Sequence, residues 1–198
     1  MEIGQRNDYI SPHWKRDPSF IEGPDSAGSF SIPVRALNIA WGRDHRYWRL
    51  ITLGEDENRS VGFEEAVLLD QVNWFEVTGM LDIPCLNLAV HTTYRLYYVV
   101  KFLPGAFGWH TADVKFMVKF KNTQEIMSTE LIILETYKKQ PDQWHEIPGG
   151  KPFVVNNEVL ITTVEFGMFE VETDWWKGGM VLGGVKVKPD NPPATELQ

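Results

Sequence analysis

Residues 92–102 read TTYRLYYVVKF and residues 113–120 read DVKFMVKF, and in both the side chains change character at every second position. Tyr94, Leu96, Tyr98, Val100 and Phe102 fall on one side of the first stretch, with Arg95, Tyr97, Val99 and Lys101 on the other. In the second, Val114, Phe116, Val118 and Phe120 alternate with Lys115, Met117, Lys119 and Lys121. A period of two sends successive Cβ atoms to opposite faces, so each stretch is a strand with one buried and one wet face. The lysines are the solvated side of that strand rather than a nucleic-acid groove.

Further strands are expected at ALNIAW (36–41), VNWFEVTG (72–79), ELIILETY (130–137), EVLITTVEF (158–166), GGMVL (178–182) and GVKVKP (184–189). Gly, Pro, Asn or Asp bounds most of them. Such a run of short strands predicts an all-β fold, a jelly-roll-like β-sandwich of two antiparallel sheets packed face to face. SVGFEEAVLLDQV (60–72) is left open, because its Glu-Glu-Ala-Val-Leu-Leu run also has helical propensity. The glycine pairs at 149–150, 178–179 and 183–184 read as tight hairpin turns.

Residues 1–33 carry Pro12, Pro18, Pro24 and Pro33 without apolar periodicity and read as an extended arm; residues 34–189 form the domain and 190–198 a polar tail. The 198 residues are 43% hydrophobic and 23% charged, the balance of one globular domain. A net charge of -8 argues against a phosphate backbone as main partner, so nucleic acid is not expected. The first ten residues lack the basic and apolar regions of a secretory signal, and no apolar run is long enough to span a membrane, which predicts a cytoplasmic protein without membrane insertion. Cys85 is the single cysteine, so no intramolecular disulfide or cysteine-built zinc site forms. It reads as a small, at least half-buried hydrophobe.

Nucleophile elbow, phosphate loop and HExxH pair are all missing, and the five histidines stand singly as polar surface residues. No catalysis, cofactor or metal is expected. The unusual resource is tryptophan, eight in all, of which a sandwich core takes only a few because each buried indole N–H needs a partner. Flat rings beside polar groups suit a pyranose, whose C–H face covers an indole while its hydroxyls seek donors and acceptors at the rim. Trp74 and the Tyr94–Phe102 stripe are assigned to the core.

LNIAWGRDHRYWRL (37–50) resembles the phloem protein 2 family, the plant lectins related to the tobacco agglutinin Nictaba. VNWFEVTGML, TTYRLYYVVKF, WHEI, EVLITTVEF and WWKGGMVLGGVKVKP follow in the family's order. The resemblance implies a non-catalytic sandwich that binds N-acetylglucosamine oligomers, including chitin fragments and the cores of N-glycosylated proteins, in a homodimer of the cytoplasm, nucleus or phloem sap. It carries the sugar site onto Trp41, Trp48, Glu158 and Glu165, to which Tyr47, adjacent to Trp48, and Trp176 of WWKGG are added. A family lysine-rich import stretch is missing here, and nothing in residues 1–33 resembles an F-box.

Each position also has a plain structural reading. Trp41 shares parity with Leu37 and Ile39 and would then face the core. Trp48 follows a polar turn, between Arg46 and Arg49, which favours surface display. Glu158 and Glu165 are seven apart and fall on opposite faces of a regular strand unless a bulge intervenes. Two other functions compete: a glycoside hydrolase using the two carboxylates, and a protein or RNA interaction module that has lost the sugar site. A buried Trp48 and solvent-facing, unpaired glutamates would favour the module.

Overall fold

The computed structural model describes residues 11–110, 113–121, 126–157, 159 and 162–190, with backbone alone at 126 and 127. Glu158 and nearly all of the polar tail lie outside the described residues. Among the described residues twelve strands run in chain order: β1 Phe30–Pro33, β2 Asn38–Ile39, β3 Trp48–Thr52, β4 Glu65–Leu69, β5 Phe75–Asp82, β6 Thr92–Phe107, β7 Val114–Phe120, β8 Ile126–Ile132, β9 Trp144–Pro148, β10 Phe153–Val155, β11 Thr163–Glu170 and β12 Gly178–Pro189. They make two antiparallel sheets. One has seven strands, ordered β10-β6-β12-β4-β3, with β1 also on β12 and β9 also on β6; the other has five, ordered β2-β5-β11-β7-β8. The all-β sandwich expected from the alternation is the observed fold.

The second stretch and the inward face of the first behave as read, but the outer face of the first is not wet throughout, because Val99 is buried in a second cluster with Leu53, Val61 and Phe63. Tyr94, Leu96, Tyr98, Val100 and Phe102 from β6 meet Val114, Phe116, Val118 and Phe120 from β7 in one core between the sheets. Phe75 stacks on Trp48 at 6.1 Å and meets the edge of Trp109 at 5.4 Å. Trp109 is the well-satisfied buried indole, its Nε1 donating to the Gly178 carbonyl at 2.9 Å. The Tyr98 hydroxyl has no partner in the described structure, and burial pushes its ionisation far above the ordinary phenol range. Gly149 makes room for that ring: a Cβ there would lie 2.3 Å from it.

Several local expectations are corrected. The segment left open at 60–72 settles as strand, β4 over Glu65–Leu69, with only Ser60 and Val61 belonging to the end of a helix, α1, Glu55–Val61. Gly62, at φ 76, ends the helix by donating its N–H to the Asn58 carbonyl at 2.7 Å, a left-handed position that suits glycine. ELIILETY is strand only as far as Ile132, since Glu135–Lys138 is a short helix. The pairs at 178–179 and 183–184 are not hairpin turns: β12 runs through both as one strand with two register shifts against β6. At the second shift Leu182 and Gly184 face Val100 and Val99, so Gly183 is the extra residue of a bulge. Cys85 is exposed rather than buried, and Asp82 beside it pushes its thiol up. Phe30–Pro33, which composition put in the arm, adds an edge to β12.

Candidate functional site

Three of the inferred site residues come together. Trp41 and Tyr47 have ring centroids 5.9 Å apart, and Tyr47 stacks on Trp176 at 6.3 Å with a 30° interplanar angle. His13 extends the row, its ring 4.9 Å from Trp41. Trp176 is 45% exposed and Trp74, across the row, 48%. Trp74 therefore corrects its core assignment, and its Nε1 donates to Glu76 at 2.8 Å.

The backbone explains the row. ALNIAW is a strand for only two residues, after which Trp41 adopts φ 60. That left-handed turn breaks the parity that would have carried the ring inward, and it is uncommon for a bulky residue. The turn after it is closed by Asp44, whose carbonyl accepts from the N–H groups of Tyr47 and Trp48 at 2.9 and 3.0 Å. The Asp44 carboxylate holds Arg46 at 2.6 Å, and those hydrogen bonds lower its pKa to about 2. The Arg46 guanidinium in turn lies 5.3 Å from the Tyr47 ring.

Trp74 and Trp176 belong to loops joined by reciprocal backbone bonds between Val72 and Lys177, 2.8 and 2.9 Å long. The Lys177 side chain is buried, donating to the carbonyls of Asn73 and Trp175 at 2.9 Å each and pairing with buried Glu170. Glu170 also accepts from the Thr173 N–H and hydroxyl at 3.1 and 2.9 Å. One ion pair thus anchors both tryptophan-bearing loops. Sequence reasoning missed it, although Glu170 shares the parity of buried Val164, Phe166 and Met168 on β11, and a carboxylate on a core face needs a cation or donors.

Two open hollows flank the row and share Trp41 and Trp74. One, about 420 Å³, is lined by His13, Trp14 and Lys15 together with Asn38, Glu76 and Thr78. The other, about 330 Å³, adds Tyr47, Asn73, Thr173 and Asp174. Each therefore offers an indole face beside hydroxyl, amide and carboxylate groups. Among the described residues, no three His, Cys, Asp or Glu side chains converge as a metal site would require. No helix among them is long and apolar enough to cross a membrane.

Two other inferred residues, Trp48 and Glu165, do not join this site, and Glu158 lies outside the described residues. Trp48 is 1% exposed, so the surface display expected of it is corrected. Its ring turns inward against Phe75, and its Nε1 is left without a partner in the described structure. Glu165 stands on the solvent face of the five-stranded sheet, paired with Lys119 at 2.6 Å. Register places it opposite Met80, whereas Trp41 follows β2 at the level of Phe75, on the order of 15–20 Å away by strand spacing and rise.

A sequence model of the family Phloem protein 2 matches residues 27–189. In Arabidopsis thaliana, Protein PHLOEM PROTEIN 2-LIKE A5 is 31% identical over 160 residues, covering 81% of this chain and 37% of that protein. Protein PHLOEM PROTEIN 2-LIKE A2 is 32% identical, covering 64% and 61%, and PHLOEM PROTEIN 2-LIKE A9 is 29% identical, covering 87% and 93%. This chain thus spans less than two thirds of the length of the first two relatives. Likeness to solved structures is looser: the C-terminal family 6 carbohydrate-binding module of a marine laminarinase from Zobellia galactanivorans gives a TM-score of 0.40 at 10% identity, covering 81% of this chain and 99% of that one. With the family model spanning most of its length, from the residues before β1 to the end of β12, this chain belongs to the phloem protein 2 family.

Proposed function

We propose that this chain is a non-catalytic carbohydrate-binding domain for N-acetylglucosamine oligomers, taken across Trp41, Tyr47, Trp176 and Trp74. The observation that carries this reading is the open row of rings, with a hollow on either side holding donors and acceptors. A pyranose C–H face covers an indole without losing hydrogen bonds, and an acetamide needs both an apolar wall and polar partners. Family membership supports the same reading. Within it, Trp48 supports the fold and not the sugar, and Glu165 is too far along the sheet to reach a ring seated on Trp41. N-glycosylated proteins of the cytoplasm or phloem sap are the natural carriers of such a ligand, and a homodimer would multiply weak sites through effective concentration.

Open sites of this kind bind weakly, so chitotriose is expected to give a Kd of roughly 0.1–1 mM. Titration calorimetry on the full chain tests this. Trp176→Ala weakens binding at least about fivefold, a loss near 1 kcal/mol. No heat at millimolar chitotriose, together with no competition for glycoprotein binding, overturns the reading. That result would favour a protein or RNA interaction module on the same sandwich, which the burial of Trp48 already favours; the Lys119 partner of Glu165 speaks against it.

A further inference from the structure

The larger hollow is built partly from residues that precede the family match. That match begins at residue 27, yet His13, Trp14 and Lys15 line the hollow beside Trp41 and Trp74. Their segment is tied to the edge of the five-stranded sheet. Trp14 and Ile39 exchange backbone bonds of 3.0 Å, the Arg43 N–H donates to the Pro12 carbonyl at 2.9 Å, and the Asp17 N–H donates to the Arg35 carbonyl at 2.8 Å. The Arg16 N–H adds a bond to the Asn38 side chain at 3.1 Å. Trp14 is fixed as well, with the Arg35 guanidinium 5.8 Å from its ring and Gly42 leaving space where a Cβ would come within 2.7 Å of its own.

His13 acts on Trp41 directly. Its Nδ1 accepts the Trp41 backbone N–H at 3.0 Å while its ring lies against the indole. That bond satisfies an amide at the one residue of the row in the left-handed region, a conformation that persists only where its surroundings hold it. Lys15 forms no ion pair among the described residues, so its donors are open to a ligand, and the Glu76 carboxylate in the same hollow offers acceptors.

We propose that residues 12–17 supply a second saccharide subsite, in which His13 is the positioning residue that sets Trp41 between the two hollows and Lys15 is a ligand donor. The inference rests on the sugar-binding reading above. Because both hollows share Trp41 and Trp74, an oligomer crossing those rings occupies both. This segment, not the part of the chain that matches the family, then sets how many sugar rings are gripped.

Calorimetry of the full chain with chitobiose, chitotriose and chitotetraose tests it. The unaltered protein is expected to gain roughly tenfold in affinity from chitobiose to chitotetraose, about one added set of stacking and hydrogen-bond contacts. His13→Ala reduces that gain to less than about twofold, whereas His13→Asn restores it, because its amide oxygen stands near the position of Nδ1 and accepts the same bond. Lys15→Ala, remote from any backbone role, is the second variant should His13→Ala unfold, and it also flattens the gain. If the unaltered protein binds and every variant keeps its full gain with length, this inference alone fails. If the unaltered protein binds none of the three oligomers, the sugar-binding reading fails and takes this one with it.

Discussion

Trp48 and Trp176 divide what eight tryptophans do here: one is inside the sandwich against Phe75, the other stands at the surface on Tyr47. Trp48→Ala is expected to cost about 3–5 kcal/mol of stability, the loss of a large buried ring and the cavity it leaves. Trp176→Ala should change stability by no more than about 0.5 kcal/mol while weakening chitotriose binding. Urea unfolding of both variants checks this, and equal destabilisation would contradict the assignment. Part of the division was legible in the sequence. Trp74 shares parity with Glu76 and Thr78, the outward side of β5, while Phe75 and Val77 face in, so its exposure could have been read from the period-two rule. Trp41 could not, because its parity points inward and only the φ of 60 at that residue turns the ring out. Nor could the inward turn of Trp48, since its flanking arginines find partners elsewhere: Arg49 bonds Asp70 at 2.5 and 2.6 Å and Arg46 bonds Asp44.

Strands were legible where alternation was long and glycine-free, as in residues 92–102 of β6 and in β7, and were misread where glycine interrupted the pattern. GGMVLGGVKVKP looks like two short strands around a turn, yet it is the central β12, bulged rather than reversed. A Cβ at Gly184 would come within 2.5 Å of the Ile32 carbonyl of β1, so Gly184→Ala forces apart two paired strands. A cost of about 1–3 kcal/mol is expected, and a variant that melts with the parent would show the bulge to be more forgiving. The loops beyond β11 depend on the buried pair of Glu170 and Lys177, of which the period-two rule marks Glu170 but not its partner. Lys177→Met leaves a buried carboxylate unpaired, at a cost of about 3–5 kcal/mol. Adding Glu170→Leu is expected to recover most of that stability, because the stranded charge is removed. Chitotriose affinity is not expected to recover with it, because Lys177 also holds the carbonyls beneath Trp74 and Trp176. Recovery of both together would show that the pair contributes only to folding.

The two-sheet architecture follows from alternation alone, but what stiffens its outer surface is ionic and long-range, and so was invisible in the sequence. On the seven-stranded side, Glu57 of α1 reaches Lys101 of β6, Glu65 of β4 reaches Arg35, and Glu146 of β9 is clasped by Lys186 and Lys188 of β12 at 3.0 and 2.5 Å. Hydrogen bonds from Lys101 and Arg35 hold Glu57 and Glu65 below the ordinary carboxylate value of 4.5. For Glu146, burial alone would push the value up, yet hydrogen bonds from Lys188 and Lys186 outweigh it and the group is lowered too. All three carboxylates therefore bind protons more readily in the unfolded chain than in the folded one. Stability rises with pH wherever the unfolded state holds more protons, so their contribution is complete above about pH 4.5–5 and is lost as the pH falls through the lowered native values. These groups are partly exposed, so salt should shrink the effect. Chemical unfolding of the full chain from pH 7 to pH 3 is expected to give a plateau and then a decline below about pH 4.5. Glu146→Gln, which cannot take up that proton, should lower the plateau and flatten the decline. Identical pH profiles for the two proteins would mean that the β9–β12 clasp is not coupled to folding, and the acid response would then have to come from carboxylates elsewhere.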